Sequence, residues 1–415
     1  MTTSTFSLGL LLLLLAFAGA CWAGKRVMAG RAPAPAVALP STPAVPALAP
    51  STAAAAPLAM LATALRMPHG ASPEELLAML ARDQAQPDLD PQLIDDDGYP
   101  VMAARSSDAV DALLQEEIGT WLAHNGMADA AWDEEGWRAL TLGAAALREL
   151  APAAAAAMAH DATLRLFALL PPQWSADARH AATLWWRHLL VQVGCPAARI
   201  RIEPAQGSAV AILARLAQER SAAPAIVLAC ASHVGQETVD RWSAGGLLFR
   251  AAHPRGLVPG EGAAGLLLAG AGQAPDESPV AQLQLASQAR EPAAGRRRTD
   301  AAVLGQLAAQ AMQGSASGDA VARIVADTGA DTRQVLELMA FAGAMTPQLD
   351  DAGDVLRVGA ACGACDAVPF IAALALARTA ALEGGAPVLC VSNEDPAVRA
   401  VALVRPHGLT TREHP

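Results

Sequence analysis

The sequence predicts an α/β protein, because short apolar runs alternate with amphipathic helices along most of the chain. Residues 224–232 and 266–268 are continuous apolar runs bounded by turn residues, which is typical of strands buried on both faces. Between them lies a Gly/Pro-rich turn, residues 254–265, where Gly260 and Gly262 allow backbone angles that side chains forbid. We therefore expect a largely parallel sheet with helices on both faces.

The other elements follow from local patterns. Ser72 before Pro73 and two acids predicts a helix start, with serine as the N-cap. Apolar residues at helical spacing predict further helices, and short apolar runs ended by turn residues predict strands. The helices are expected at 137–150, 180–190, 209–216, 300–313 and 332–343 and from the turn 359–366 to 382; the strands are expected at 164–170, 199–203, 322–326, 387–392 and 399–404.

Composition excludes some classes of function. The net charge of −11 argues against nucleic acid as a partner. Five cysteines outside the leader are an odd number, which does not indicate a disulfide framework. The Cys362-x-x-Cys365 pair leaves a redox or zinc role open, but no second Cys/His pair stands nearby, so buried structural thiols are favoured. Neither a metal nor a cofactor is predicted, and Asp95–Asp97 is interpreted as a solvated turn.

The N-terminus predicts an attachment to the membrane. Residues 8–23 are an uncharged apolar run, followed by Lys25, Arg26 and Arg31. Because positive charge stays on the cytoplasmic side, residues 1–31 are interpreted as an inner-membrane anchor that leaves the domain in the cytoplasm. A periplasmic location stays open. Residues 32–57 are a Pro/Ala-rich linker, 58–406 the globular domain with halves of about 58–270 and 271–406, and 407–415 a tail.

A family resemblance rests on one stretch. Leu257-Val-Pro-Gly-Glu-Gly-Ala-Ala-Gly-Leu-Leu-Leu268 resembles the segment that leads into a buried strand in β-ketoacyl synthases and other thiolase-fold proteins. The resemblance implies a thiolase-like fold of two similar α/β halves, layered α/β/α/β/α around a buried central helix pair. It also implies a homodimer that pairs through the strand beside the nucleophile turn, and an acyl-thioester ligand. Ser208, Gly260, Glu261 and Gly262 are the candidate binding residues.

The catalytic groups of that family are missing at the positions where the resemblance places them. Active ketosynthases use a cysteine at a strand–turn–helix elbow and two histidines, or a histidine and an asparagine, from loops of the second half. Here Gln206, Asp327 and Ala360 are assigned to these positions. The nine histidines include none between residues 254 and 406. A catalytic site of the family's kind is therefore not expected.

Three hypotheses follow. The first is a catalytically inactive, membrane-anchored β-ketoacyl synthase-like protein that acts as a binding or assembly component with protein partners, in a context such as a secretion system. The second is a residual enzyme, either a decarboxylase or an acyltransferase that uses Ser208 and Asp327. The third is a module that binds lipid or acyl chains without chemistry.

Overall fold

The fold was analysed in a computed structural model. It describes residues 56–130, 132–158, 162–205, 208–219, 223–273, 279–290, 301–313, 320–351 and 353–407. All of these belong to one of the two units into which the chain divides, residues 47–415. The predicted anchor and nearly all of the linker lie outside the described residues. Among those described, no helix has the length and apolar character needed to cross a bilayer.

The first half of the described chain begins and ends with long strands. Its strands are β1 (Leu58–Arg66), β2 (Asp88–Ile94), β3 (Pro100–Ala103), β4 (Leu164–Leu169), β5 (Ile200–Pro204), β6 (Ala225–Ser232) and β7 (Glu261–Gly270). Its helices are α1 (Pro73–Ala81), α2 (Ala112–His124), α3 (Glu134–Ala157), α4 (Ala176–Gln192), α5 (Ala209–Glu219) and α6 (Gln236–Ala244). The predicted cap of α1 is confirmed, since the Ser72 hydroxyl accepts a hydrogen bond from the Glu75 N–H at 3.2 Å.

The second half repeats this plan with fewer insertions. Its strands are β8 (Val280–Ala289), β9 (Arg323–Ala326), β10 (Val355–Arg357), β11 (Val388–Ser392) and β12 (Val398–His407). Its helices are α7 (Ala301–Ala311), α8 (Thr332–Met345), α9 (Val358–Cys362) and α10 (Val368–Gly384). The strand regions expected from sequence in this half are confirmed to within a few residues, whereas β8 and β10 were not predicted.

The strand order shows the internal repeat. One sheet of ten strands has the order β10-β9-β11-β12-β8-β1-β7-β6-β4-β5, while β2 and β3 form a separate hairpin. If the strands of each half are numbered along the chain, leaving out that hairpin, both halves have the order 3-2-4-5-1. The halves meet where β1 pairs with β8 in antiparallel fashion. The sheet therefore has an approximate two-fold repeat about its centre.

The expectation of a largely parallel sheet was wrong. Only β4, β5 and β6 and, in the second half, β9, β10 and β11 run parallel. The central strands β7, β1, β8 and β12 pair antiparallel. For β12 the reason is visible at residues 393–397, where a short loop returns the chain from β11 directly to its neighbour. A parallel neighbour would need a crossover of a dozen or more residues.

Helices cover both faces of the sheet, as predicted. Successive residues of β6 alternate between two cores, with Val227 and Ala229 on one face and Ile226 and Leu228 on the other. One core extends across both halves and contains α5 and α10, the expected central helices. Helix α10 is buried on nearly all sides, which explains why its sequence is apolar on every face.

Candidate functional site

The candidate site lies where the parallel strands of the second half end. The segments that follow β9, β10 and β11 meet there, close to the start of α10. In open α/β sheets, ligands bind at the carboxyl ends of the strands. The two second-half positions assigned from sequence, Asp327 and Ala360, both fall in these segments.

Asp327 is a buried residue whose carboxylate is used within the fold. One oxygen, Oδ2, accepts a hydrogen bond from the Ser392 hydroxyl at 2.5 Å. The other, Oδ1, accepts from the backbone N–H groups of Asn393 at 2.9 Å and Glu394 at 3.3 Å. Burial raises the pKa of Asp327 to about 6, although these hydrogen bonds act in the opposite direction. The carboxylate thus fastens the loop after β11 to the end of β9.

The segment with Ala360 lies directly against Asp327. A Cβ atom added to Gly359 would come within 2.0 Å of the Asp327 carbonyl oxygen, so the two backbones pack without space for a side chain. The structure therefore brings these two sequence positions together. Gln206, the third position, lies outside the described residues.

Ser208 occupies the end of the first central helix. Its hydroxyl accepts a hydrogen bond from the Ala211 N–H at 3.3 Å, which is the contact of a helix N-cap. Asp327 is not among its hydrogen-bond partners in the described part of the chain, and Ser392 holds the Asp327 oxygen that could act as a base. The described contacts thus give Ser208 and Asp327 separate structural tasks.

Glu261 is the centre of a fully buried network. Its Oε1 accepts from the Ser106 N–H at 2.7 Å and from Arg138 at 2.6 Å. Its Oε2 accepts from Arg138 at 2.8 Å and from the Ser232 hydroxyl at 3.0 Å. Glu261 is 0% exposed and Arg138 3% exposed. Both oxygens are thus occupied by contacts that bind β7 to α3 and β6.

Gly260 and Gly262 are required by close packing. A Cβ atom at Gly260 would lie 2.0 Å from the Cys362 carbonyl oxygen, and one at Gly262 would lie 2.4 Å from the Met67 sulfur. The Ala364 N–H donates to the Val258 carbonyl oxygen at 2.8 Å. The Gly/Pro-rich stretch therefore packs directly against the backbone of the turn before α10.

Sequence reasoning missed Glu394, the most perturbed carboxyl group of this region. Its oxygens would approach Cβ atoms added at Gly329 and Gly359 to 3.2 and 3.0 Å, so the carboxyl lies between these two glycines. Burial, followed by the charges of Asp327 and Asp366, raises the pKa of Glu394 to about 8. Among the described residues no hydrogen-bond partner for this carboxyl is found. At neutral pH it is therefore mainly protonated and able to donate a hydrogen bond.

The turn before α10 carries the Cys362-x-x-Cys365 pair, for which the sequence favours buried structural thiols. Cys362 and Cys365 are each 1% exposed, and their sulfur atoms lie 3.8 Å apart. Next to the pair, Asp366 Oδ1 lies 3.4 Å from His233 Nε2. Both thiols are buried as expected, whereas the contact between their sulfur atoms was not predicted.

The described groups of this region differ from those expected of an active ketosynthase. An imidazole in the second half would supply the hydrogen-bond donor that stabilises a developing oxyanion. The described contacts instead contain a carboxylate that accepts three hydrogen bonds, a protonated carboxyl group and two buried thiols. This set can bind a carbonyl oxygen through Glu394, but the described residues show no activated nucleophile with a base beside it.

Comparisons with known proteins identify the architecture. No protein-family model matches the sequence, and no curated protein matches it. Among solved structures, the chain is similar to the ishigamide ketosynthase/chain length factor, with a TM-score of 0.51 and 17% identity over 84% of this chain and 99% of that one. It is also similar to the ketosynthase from module 6 of the bacillaene synthase from Bacillus subtilis 168, with a TM-score of 0.59 and 15% identity over 84% of this chain and 71% of that one.

A further similar structure is AntDE:AntF, described as a type II PKS acyl-carrier protein in complex with its ketosynthase bound to the hexaketide. Its TM-score is 0.58, with 10% identity over 85% of this chain and 99% of that chain. These identities are too low to transfer an activity, but the coverage spans both halves of the described domain. The chain has the α/β, thiolase-like fold of the ketosynthases.

Proposed function

We propose that the protein is a catalytically inactive, ketosynthase-like binding component. The observation that carries the proposal is the hydrogen bonding of Asp327, which stands at the position assigned to a catalytic histidine. Both of its oxygens are engaged by Ser392 and the loop after β11. A carboxylate held in this way stabilises the fold, and it has no hydrogen-bond donor to offer to a developing oxyanion.

The ligand that fits the site best is an acyl thioester, and the corresponding partner is an acyl-carrier protein. Glu394 supports this choice, since a protonated carboxyl group donates a hydrogen bond to a carbonyl oxygen. The pKa of about 8 keeps that proton in place at neutral pH. One similar structure is a ketosynthase in complex with an acyl-carrier protein. The residual-enzyme hypothesis has less support, because Ser208 caps α5.

Assembly and location complete the proposal. Strand β5 lies at one end of the ten-stranded sheet, so one of its edges is open for pairing with a second copy. A homodimer would use this edge. Residues 8–23 would hold the protein in the inner membrane with the domain in the cytoplasm, as a component of a larger assembly such as a secretion system.

A binding experiment with the full-length protein tests the proposal. A carrier protein loaded with a defined acyl group is mixed with the wild type, and complex formation and the mass of the acyl group are followed over time. Binding with an unchanged acyl mass is the expected result. Glu394→Ala should weaken binding by about threefold to tenfold, the worth of one hydrogen bond. Glu394→Gln, which keeps a donor, is the matched control.

Two results would contradict the proposal. Hydrolysis or transfer of the acyl group by the wild type, lost in Ser208→Ala, would establish the residual enzyme instead. Equal binding by the wild type and Glu394→Ala would remove Glu394 from the binding site. Acyl groups that co-purify with the protein, detected by mass spectrometry, would favour the lipid-binding alternative.

A further inference from the structure

The turn before α10 holds two thiols in contact. Cys362 is the last residue of α9, and Cys365 precedes α10 by three residues. Their sulfur atoms are 3.8 Å apart, and the Cys365 thiol donates toward the Cys362 sulfur. Two residues of the turn have left-handed backbone angles, Gly363 with φ of 67° and Asp366 with φ of 53°. This conformation folds the segment back on itself and brings the two side chains together.

The surrounding structure fixes the backbone of this turn. Ala364 forms a bridge with Pro259, and its N–H donates to the Val258 carbonyl oxygen at 2.8 Å. Gly260 packs so closely on the Cys362 carbonyl oxygen that no side chain would fit between them. The two sulfurs are therefore kept near each other by the Gly/Pro-rich stretch, and a bond between them requires motion of the side chains far more than of the backbone.

The other cysteines of the described chain differ in this respect. Cys195, Cys230 and Cys390 are also buried and free. Within the described residues, none of these three has a thiol as a hydrogen-bond partner. The contact between sulfur atoms thus distinguishes the Cys362–Cys365 pair from simple burial of small apolar residues.

We propose that Cys362 and Cys365 form a redox-active dithiol that closes to an intramolecular disulfide by exchange with a small-molecule disulfide such as oxidised glutathione. In the first step, the thiolate of one cysteine attacks the glutathione disulfide, forms a mixed disulfide and releases one glutathione. The second cysteine then attacks the protein sulfur of that mixed disulfide and releases the second glutathione. The pair loses two protons and two electrons, and one oxidised glutathione becomes two reduced molecules.

The exchange is slow in the folded protein. The contact with Cys362, burial, and the nearby carboxyl groups of Glu394 and Asp366 all raise the pKa of Cys365. The attacking species is the thiolate, and both thiols are almost fully covered. Reaction therefore requires opening of the turn, or takes place while the chain folds. Once formed, the buried disulfide is protected from reduction in the same way.

The disulfide would restrain the backbone segment that lines the candidate site. The segment from Gly359 to Asp366 packs on Asp327 at one end and meets His233 at the other. A covalent link within it would restrain both contacts. The oxidation state that the pair reaches while the chain folds or the turn opens would thus set the geometry of the site, whichever ligand it binds.

The test uses the full-length protein, refolded from urea in buffers with different ratios of oxidised to reduced glutathione, then quenched in acid and alkylated after denaturation. Cleavage after arginine gives one peptide, residues 358–378, which contains both cysteines and no other. The expected product is this peptide lighter by two hydrogens and unalkylated, with the Cys390 peptide alkylated as the internal control. Native protein should reach the same state at least tenfold more slowly, and low urea should accelerate it.

Variants keep the test decisive. Cys390→Ser should leave the disulfide unchanged. Cys365→Ser and Cys362→Ser should each abolish it and leave a glutathione adduct or a free thiol on the remaining cysteine. Complete alkylation of both cysteines of the wild type after refolding in oxidised glutathione would overturn the proposal. So would a stable mixed disulfide with glutathione that does not resolve into the internal bond.

Discussion

Asp327 gives the sharpest structural prediction. Because this carboxylate holds the loop after β11, its truncation should destabilise the fold. Asp327→Ala removes the acceptor of three donors, one of them the Glu394 N–H, and the two shorter bonds come from the Ser392 hydroxyl and the Asn393 N–H, at 2.5 and 2.9 Å. Both residues are buried, so water cannot replace the lost acceptor.

The magnitude follows from these two bonds. A buried donor left unpaired costs about 1–3 kcal/mol. The variant also loses a carboxylate whose burial is itself unfavourable, as the raised pKa shows, and this offsets part of the loss. We expect a net decrease of about 2–4 kcal/mol in the free energy of unfolding. Asp327→Asn keeps an acceptor oxygen for the backbone N–H groups and should lose less than about 1 kcal/mol.

Urea denaturation at pH 7, followed by tryptophan fluorescence and circular dichroism, measures both variants. Similar m-values across the series would show that the midpoints report stability and not a change in the unfolded state. If Asp327→Ala unfolds within about 0.5 kcal/mol of the wild type, the carboxylate does not fasten the loop. The assignment of Asp327 to a structural task would then be wrong.

Three further predictions concern the same region. Glu261→Ala leaves the buried Arg138 charge without a partner and should lower the free energy of unfolding, measured by urea denaturation, by about 3–5 kcal/mol. Glu117→Ala, which breaks an exposed pair with Arg148, should lower it by less than about 1 kcal/mol. Equal effects of the two variants would refute a stabilising role for the buried network. Because the pKa of Glu394 is raised from 4.5 to about 8 on folding, stability should fall as pH rises across this range, and Glu394→Gln should flatten the profile of melting temperature against pH; a parallel profile would contradict this. Gly260→Ala drives a methyl group into the Cys362 carbonyl oxygen and should lower the melting temperature strongly, unlike Gly272→Ala, where no atom lies within 4 Å.

Much of the fold was predictable because its buried strands leave a plain mark on the sequence. Continuous apolar runs such as residues 225–231 fill two cores at once, so they read as strands without any alignment. Strand β8 was missed although Gln282 and Gln284 alternate with the apolar residues Ala281, Leu283 and Leu285, which was a usable signal. The direction of β12 was also predictable, because the expected strands 387–392 and 399–404 leave a connection too short for a parallel crossover.

The site was less predictable. Position and residue type identified Asp327, but only the structure shows that its oxygens are occupied. Glu394 looked like one of several polar residues in a loop, and its perturbation arises from burial between two glycines that are distant in sequence. For Glu261 the sequence predicted a binding role that the contacts do not support. It appeared to be a binding residue because it stands in the family-like motif, whereas the structure commits both its oxygens to Arg138 and its neighbours.

The central claim is that this chain has a ketosynthase's architecture without its chemistry. The most direct measurement is the rate of carbon dioxide release from a malonyl thioester of a carrier protein, together with the search for a condensed product, using purified full-length protein. The account predicts a rate equal to that of the buffer and no condensed product, for the wild type and for Gln206→Ala alike. Release well above the buffer rate that disappears in Gln206→Ala would contradict it.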